Sequence, residues 1–467
     1  MVVGEFTTES DLVVIGGGPG GCAAALRAAE LGIETTLVDA GTPSGDNGIG
    51  GTWLHAGLMT KELLSITSLR DALDAARSLG VASEPFTIDL EPLRAMLRER
   101  ARLASERLEA RLLAAGVVVM HGHARFDDSR RLTVAGGNVS RLKFRRAIIA
   151  TGAATQRSPL VDADHPRVLS PVDAARLEHV PASLCVLGGT PMALELATVY
   201  ATLGTAVTIV NPLPGVLRDV DGELITMLLD ALRERVTVLD ATSITRIDDT
   251  GTQFQMHGDD GTTVDAECIL VATGREPADG GLDLHTTGVQ RGDDGWITVD
   301  DHMATTDPRI YAIGDAIAAE GHASSARMQG RTAAEAVAGW NTAFDARAIP
   351  RVVFTTPPLA WCGLTARGAA DAGYQDVDVI EHRWVGPGLA ASADDTPDGM
   401  VHLVLDRDTG LILGLGVIGA GAPAFIGEAT LAIEMGAVLD DLAAVVHAHP
   451  AGAVFGRAAE IGHGPHA

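Results

Sequence analysis

The chain has 467 residues and a formal net charge of −26, with 61 acidic and 35 basic residues. That charge argues against nucleic acid and anionic membranes as partners, because both would be repelled. Hydrophobic residues make up 46% of the chain and aromatic residues 4%, which is typical of an aliphatic globular enzyme. The length is sufficient for two to four domains with buried cores.

The sequence also predicts where the protein resides. No apolar run reaches the roughly 18 residues of a membrane span, and the acidic, polar segment Met1–Glu9 is unlike a signal peptide. Four cysteines lie in apolar runs without metal-binding spacing, so we expect them to be buried and inert: Cys22, Cys185, Cys268 and Cys362. A protein of the reducing cytoplasm is predicted.

The first predicted unit contains a glycine-rich turn between a strand and a helix. Its GxGxxG pattern uses Gly16 for a tight turn, Gly18 for close approach to a pyrophosphate, and Gly21 for helix–strand packing. Asp39 ends the next apolar strand, where a carboxylate binds ribose hydroxyls. Strand, helix and acid in register predict a dinucleotide site, with phosphate at the helix N-terminus.

Later elements follow in order. A long helix is expected from about Leu93 to Leu113, and a strand ends at Ala150-Thr151-Gly152. A second strand–turn–helix–strand unit spans Leu184 to Val210 and closes with Thr273-Gly274-Arg275, so a mononucleotide-binding unit is duplicated. After Pro350, alternating apolar segments followed by two helices predict an α+β domain.

On these motifs the chain resembles the flavoprotein disulfide reductases, which include dihydrolipoyl dehydrogenase, glutathione reductase and mercuric reductase. The resemblance covers essentially the whole chain and extends to Tyr311–Asp315, Ala323–Arg331, Val352–Pro357 and His447–Pro450. It implies an α/β fold with two Rossmann-type nucleotide-binding units and an α+β dimerisation domain. The implied domains are 1–153 with 275–345 for FAD, 154–274 for a nicotinamide dinucleotide, and 346–467 for a homodimer interface.

The resemblance also implies the cofactor contacts. In this family the aspartate matched by Asp315 binds the ribityl chain, and the N-terminus of the helix that follows faces the flavin pyrimidine. No metal ligand is implied. The residues expected to contact FAD are Gly16, Gly18, Gly21, Asp39, Gly51, Thr52, Lys61, Ala124, Thr151, Gly152, Gly314, Asp315, Ser324 and Ser325.

The segment that carries the family's redox cysteines departs from the pattern. The family has Gly-Gly-Thr-Cys, four residues, a second Cys and then Pro-Ser-Lys. Here Trp53 and Leu58 replace the cysteines, and the segment is one residue shorter before Lys61. Thiol–disulfide exchange needs a thiolate and a partner sulfur, so we predict no dithiol relay. Trp53 is expected beside the flavin, either as plain packing or as a platform for a planar substrate.

Lys61 is one of only two lysines, the other being Lys143. In the family the matching lysine approaches flavin N5 and pairs with a glutamate, matched here by Glu195. A cation there stabilises negative charge on the reduced flavin, so Lys61 and Glu195 are candidate catalytic residues. The alternative is an ordinary lysine on a helix surface.

The second nucleotide unit is altered at its glycine-rich turn, which reads Gly188-Gly189-Thr190-Pro191-Met192-Ala193. Thr190 and Pro191 form a favourable N-cap and first-turn pair, so the threonine hydroxyl is expected to occupy an N–H that a phosphate needs. Asn211 stands where a ribose-binding carboxylate is expected. NADH or NADPH is therefore a doubtful cofactor.

The C-terminal catalytic motif is half present. His449 matches the family's acid/base histidine, which acts on the site of the partner subunit. The glutamate that orients this histidine is matched by Val454. An unoriented histidine can still move protons near neutral pH, so His449 is open to both a catalytic and a structural interpretation.

Three functions follow from these observations. The first is an FAD-dependent oxidoreductase that transfers a hydride directly between flavin and a small organic substrate, with Trp53 and His55 lining the substrate cavity. The second is an NAD(P)H-dependent reductase or diaphorase that passes electrons to a quinone or oxygen. The third is a non-catalytic flavoprotein with a structural or regulatory role.

Overall fold

The computed structural model describes residues 7–41, 48–78, 80–81, 87–136, 140–212, 215–278, 281–318, 322–384, 399–447 and 454–462. The chain divides into two compact units. The first comprises Met1–Met59, Leu90–Gln156 and Gly274–Asp345. The second comprises Thr60–Asp89, Arg157–Thr273 and Ala346–Ala467.

Regular elements account for most of the described residues. The helices are α1 Pro19–Glu30, α2 Met59–Ser78, α3 Leu90–Ala114, α4 Pro171–Ala175, α5 Pro191–Thr202, α6 Gly222–Arg233, α7 Ala323–Val337, α8 Ala366–Asp371, α9 Ala422–Met435, α10 Leu439–Ala444 and α11 Val454–Gly462. The strands are β1 Thr7–Ile15, β2 Thr35–Asp39, β3 Val118–His121, β4 His123–Asp128, β5 Arg131–Ala135, β6 Ser140–Ile149, β7 Ala153–Thr155, β8 Val168–Leu169, β9 Ser183–Leu187, β10 Ala206–Asn211, β11 Thr237–Asp240, β12 Ile244–Asp249, β13 Phe254–Gly258, β14 Thr263–Ala266, β15 Cys268–Val271, β16 Arg275–Pro277, β17 Ile310–Ala312, β18 Arg351–Val353, β19 Leu359–Gly363, β20 Val377–Trp384, β21 Gly399–Asp406 and β22 Ile412–Gly419.

The first unit is built on a seven-stranded sheet in the order β3-β2-β1-β6-β5-β4, with β17 also paired to β6. Strand β1 runs parallel to both β2 and β6. Its residues Leu12, Val13 and Val14 are fully buried, as expected for a parallel strand covered on both faces. Helix α7 packs closely on α1, because a Cβ on Gly330 would lie 2.3 Å from the Gly20 carbonyl oxygen. The predicted first nucleotide unit is confirmed.

The second unit contains a parallel sheet, a short antiparallel sheet and a larger antiparallel sheet. The parallel sheet has the order β11-β10-β9-β15-β8, and β12, β13 and β14 form the short one. The larger sheet has the order β18-β19-β22-β21-β20, and α9 packs on it with Ile426 and Ile433 in a shared apolar core. The predicted fold class is therefore confirmed: two Rossmann-type units and an α+β domain.

Helix α2 is not expected from the sequence pattern. Its buried face combines Leu63 and Leu64 with the polar residues Thr60 and Thr67. Threonine interrupts the apolar stripe by which an amphipathic helix is recognised.

None of the described helices combines the length and the apolar character needed to cross a membrane.

Candidate cofactor site and redox centre

The glycine-rich turn of the first unit has the geometry of a dinucleotide site. Gly16 has φ of +108°, and a Cβ there would lie 2.3 Å from the Ala150 carbonyl oxygen. A Cβ on Gly21 would lie 1.9 Å from the Gly16 carbonyl oxygen, whereas one on Gly18 would meet no atom within 4 Å. Gly18 also begins α1 without a side-chain cap. The first amides of α1 therefore face an open approach to the backbone, which suits a phosphate.

The segment before Trp53 packs against this turn. The Gly50 amide donates to the Gly17 carbonyl oxygen at 2.8 Å, and a Cβ on Gly51 would lie 3.1 Å from Gly18 Cα. The buried Ser105 hydroxyl donates to the Ile49 carbonyl oxygen at 2.8 Å. These contacts bring Gly51 against the turn, with Thr52 directly after it, so that both would border a pyrophosphate bound there.

Asp39 lies at the end of β2 and is 8% exposed. Its carboxylate accepts the Gly17 amide at 2.5 Å and the Gly41 amide at 2.8 Å. Two amide donors fix the carboxylate in place, and an ionised carboxylate has further acceptor capacity for ribose hydroxyls.

Asp315 lies in a 3₁₀ turn, Gly314–Ala316. The Gly314 amide donates to Gln329 Oε1 at 2.7 Å. Arg275 donates to the Asp315 carboxylate and, through Nη2, to the Ala153 carbonyl oxygen at 3.1 Å. Sequence reasoning gave Arg275 no role, although its Thr-Gly-Arg segment, which echoes Ala-Thr-Gly, was a usable signal.

Apart from Lys61, which lies in the second unit, the remaining predicted FAD contacts lie in the first unit. Thr151 and Gly152 follow β6, and a Cβ on Gly152 would meet no atom within 4 Å. Ser324 and Ser325 lie in the first turn of α7, where the Ser325 hydroxyl donates to the His322 carbonyl oxygen at 3.0 Å. Ala124 is buried in β4 as part of the core. The open backbone, the helix N-termini and the anchored carboxylates together fit a flavin dinucleotide.

Trp53 begins a π-helical turn, Trp53–Leu58, that leads into α2. π-Helical turns occur frequently at functional sites. Leu54 and Ala56 are buried in this turn, whereas the Trp53 side chain is 49% exposed. The role of Trp53 stays a prediction.

The four cysteines all lie within the described residues, buried and unpaired. Burial raises the pKa of Cys22, Cys185 and Cys362 to about 12, and that of Cys268 to about 11. Cys185 pairs in register with Ile269, the residue after Cys268, so the two thiols point to opposite faces of the sheet. At pH 7 the thiolate fraction of each is on the order of one in ten thousand or less.

The structure brings Lys61 and Glu195 together within the second unit. The Lys61 ammonium pairs with Glu195 Oε2, and Glu195 Oε1 accepts the Phe354 amide at 3.0 Å. Lys61 Nζ also lies 4.9 Å from the centroid of the Phe354 ring, a cation–π distance. The Glu195 side chain is 1% exposed and that of Lys61 35%. Phe354 was not a candidate from sequence, because its partners lie far away along the chain.

The second glycine-rich turn is capped as the sequence predicts. Thr190 is the N-cap of α5; its hydroxyl accepts the Ala193 amide at 3.3 Å and donates to the Ala272 carbonyl oxygen at 2.9 Å. Asn211 is buried and donates to Asp240 Oδ1 at 2.8 Å. Asp240, at the end of the neighbouring strand β11, therefore places a carboxylate at this edge of the sheet. That carboxylate already accepts a hydrogen bond from Asn211.

His449 lies outside the described residues. Val454 begins α11, and His447 Nε2 lies 2.6 Å from Glu428 Oε1. His447, the described residue of the C-terminal motif, thus pairs with Glu428 of α9, and neither is among the site residues that the sequence predicts.

Comparisons with known proteins extend over nearly the whole chain. The family model described as pyridine nucleotide-disulphide oxidoreductase matches residues 10–333, and the model of its dimerisation domain matches residues 349–459. Dihydrolipoyl dehydrogenase 2 of Haloarcula marismortui is 35% identical over 460 residues, which cover 96% of both chains. Dihydrolipoyl dehydrogenase of Geobacillus stearothermophilus is 33% identical, over 99% of this chain and 98% of the relative.

Solved structures share the fold. The crystal structure of LpdA from Mycobacterium tuberculosis superposes with a TM-score of 0.86 at 28% identity, covering 97% of this chain and 99% of the other. The flavoprotein disulfide reductase RclA from Escherichia coli superposes with a TM-score of 0.83 at 23% identity, covering 97% of this chain and 99% of the other. At that identity RclA supports the fold alone.

Proposed function

Because the chain belongs to the pyridine nucleotide-disulphide oxidoreductase family, we propose that it is an FAD-dependent oxidoreductase without a dithiol relay. It transfers a hydride directly between the flavin and a small organic substrate. The observation that carries this proposal concerns the positions of the cysteines and the pKa of their thiols. On the family resemblance, Trp53 and Leu58 match the positions of the redox cysteines, and burial raises the pKa of all four existing thiols to about 11 or 12.

FAD, when bound, would supply reversible two-electron chemistry, and the Lys61 ammonium, held in place by Glu195, would supply a fixed positive charge. The Glu195 carboxylate is held by the Phe354 amide and in turn holds the ammonium group. A preoriented charge of this kind stabilises developing negative charge without reorganisation at the moment of reaction. In the related enzymes the matching lysine approaches flavin N5, which is the role we propose for Lys61.

Trp53 is proposed as the platform for a planar substrate. Half of its side chain is exposed, so a ring can stack on it and gain on the order of 1 kcal/mol. The match of residues 349–459 to the dimerisation domain supports a homodimer. A proton-transfer role for His449 of each protomer on the site of the other remains part of the proposal.

Anaerobic mixing of the FAD-loaded protein with NADH, NADPH and a panel of small planar organic reductants tests the proposed function. We expect an organic compound to bleach the flavin absorbance faster than either dinucleotide. Trp53→Ala should lower kcat/KM for that compound about tenfold, whereas Trp53→Phe, which keeps a ring, should retain most of it. Bleaching by a dinucleotide at catalytic rates would contradict direct transfer from an organic substrate.

A second candidate function is an NAD(P)H-dependent reductase that passes electrons to a quinone or oxygen. The Lys61–Glu195 contact favours it, because the role proposed for Lys61 would serve either electron donor. The capped turn at Thr190 and the amide at Asn211 oppose it.

The variant Thr190→Gly tests this second candidate. It releases the Ala193 amide for a phosphate, and one charge-assisted hydrogen bond is worth roughly 1.5 kcal/mol. If the candidate holds, the Kd for NADH or NADPH should fall about tenfold, as measured by anaerobic fluorescence titration. Thr365→Gly is the matched control, since Thr365 caps α8 by the same bond to the Gly368 amide. Absence of measurable dinucleotide affinity in both Thr190 forms would remove the candidate.

A further inference from the structure

The turn that carries Asp315 is held by the side chain of Gln329, a residue of α7. Gln329 Oε1 accepts the Gly314 amide at 2.7 Å, across 15 positions of the chain. All three residues lie in the first unit. Because Gly314 directly precedes Asp315, this bond fixes the turn from which the Asp315 carboxylate projects.

The other supports of this turn come from backbone and packing. The Ile313 amide donates to the Ile149 carbonyl oxygen at 3.0 Å, which ties the turn to β6. Gly314 has φ of +64°, and a Cβ there would lie 3.1 Å from Ala326 Cβ, so α7 packs directly against the turn. In contrast to these supports, the Gln329 bond can be removed by a substitution that leaves the backbone as it is.

The same stretch of α7 packs against the phosphate end of the cofactor site. A Cβ on Gly330 would lie 2.3 Å from the Gly20 carbonyl oxygen, and one on Gly20 would lie 3.0 Å from the Ala326 carbonyl oxygen. Gly20 lies in the first turn of α1. Helix α7 therefore supports the phosphate turn through Gly330 and the Asp315 turn through Gln329, by two separate contacts.

We propose that Gln329 is a positioning residue for the ribityl portion of FAD, and that it acts by fixing the turn that presents Asp315. This role rests on the proposed binding of FAD in the first unit. The Asp315 carboxylate pairs with Arg275, and an ionised carboxylate has capacity for further donors. Asp315 can therefore accept a ribityl hydroxyl while it keeps Arg275. Gln329 supplies a neutral acceptor, so it holds the turn without adding negative charge beside this carboxylate.

The two ends of the cofactor should respond differently to loss of this bond. Hydrogen bonds weaken steeply with poor distance or angle, so a small displacement of the Asp315 turn should weaken contacts to the ribityl chain. The contacts expected for adenosine and pyrophosphate involve Asp39 and the turn at Gly18. These stand on β2 and α1, and α7 meets α1 through Gly330 and Gly20. Loss of the Gln329 bond alone should leave them in place.

Titration of the deflavinated full-length protein with FAD and with ADP tests this role, because ADP carries the adenosine and pyrophosphate of FAD but no ribityl chain. Gln329→Met removes the acceptor and keeps a long side chain that favours a helix about as well as glutamine. Its Kd for FAD should rise about tenfold, and its Kd for ADP should stay within about twofold of the wild type. Gln329→Glu keeps an oxygen acceptor and should bind FAD within about threefold of the wild type. Flavin fluorescence measures FAD binding, and calorimetry measures ADP binding.

Gln255→Met is the matched control. Gln255 lies on β13 in the second unit and donates to Asp265 Oδ1 at 3.2 Å, so its replacement should change neither Kd. Thermal unfolding of each deflavinated variant serves as the folding control.

Three results would overturn the role of Gln329. An equal rise in the Kd for FAD and for ADP in Gln329→Met would show that α7 as a whole moves on α1. A Gln329→Glu protein as weak as Gln329→Met would show that the acceptor is not what matters. An unchanged Kd for FAD in Gln329→Met would reject the role and leave the proposed function intact, whereas a wild-type protein without affinity for FAD would overturn both.

Discussion

Replacing Glu195 with glutamine is expected to slow reduction of the bound flavin roughly a hundredfold while the protein retains FAD. Glutamine keeps an oxygen to accept the Phe354 amide, but it removes the charge that holds the Lys61 ammonium in place. The rate of flavin reduction should fall because the Lys61 ammonium is then free to move and its positive charge is no longer held at one position. Stopped-flow absorbance under anaerobic conditions, with the best reductant found, measures the change.

Lys61→Met should reduce the same rate to a similar extent and should also destabilise the fold. It leaves the buried Glu195 carboxylate, 1% exposed, without its cation. Breaking a fully buried pair costs about 3–5 kcal/mol. Since Lys61 is 35% exposed, we expect about 2–3 kcal/mol by denaturant unfolding. The double variant Lys61→Met/Glu195→Gln should recover part of that loss, because no unpaired charge remains.

Lys143→Met is the matched control for Lys61, since it removes the only other lysine of the chain. Lys143 pairs with Glu9 on the surface, where both side chains are more than half exposed. Its replacement should leave both the reduction rate and the stability unchanged. A Glu195→Gln protein that is reduced as fast as the wild type would show that the Lys61–Glu195 pair is structural.

Replacing Gly21 with alanine is expected to abolish FAD retention. The added Cβ would lie 1.9 Å from the Gly16 carbonyl oxygen, and that oxygen belongs to the turn on which the phosphate site depends. To relieve this clash, α1 must move away from β1, and this movement withdraws the helix N-terminus from the position of the phosphate. The purified variant should be colourless, with a Kd for FAD raised at least about a hundredfold.

Gly427→Ala is the matched control for this substitution. Gly427 lies within α9, and a Cβ there would meet no atom within 4 Å. Alanine at an exposed helix position should stabilise the fold by about 0.5–1 kcal/mol and leave the flavin bound. Normal FAD affinity in Gly21→Ala would contradict the assignment of the cofactor to this turn.

The sequence predicts those parts of the structure that are determined by residues close together along the chain. The GxGxxG turn at Gly16–Gly21 and the N-cap at Thr190 are set by residues a few positions apart, and the structure has both. The family resemblance extended this reading to the order of the domains and to Glu195 as the partner of Lys61.

Contacts between distant segments could not be predicted in the same way. Phe354, Arg275 and Asp240 each pair with a site residue at least 29 positions away, and of the three only Arg275, in its Thr-Gly-Arg segment, carries a local signal.

The central claim is that this flavoprotein works without a sulfur intermediary, and the number of electrons that it accepts tests this claim most directly. Anaerobic titration of the FAD-loaded protein with dithionite should reach full reduction at two electrons per flavin. A flavin that shares its site with a redox-active disulfide takes up four, because the disulfide is itself a two-electron couple. An uptake of four electrons, accompanied by two newly alkylatable thiols, would contradict the account.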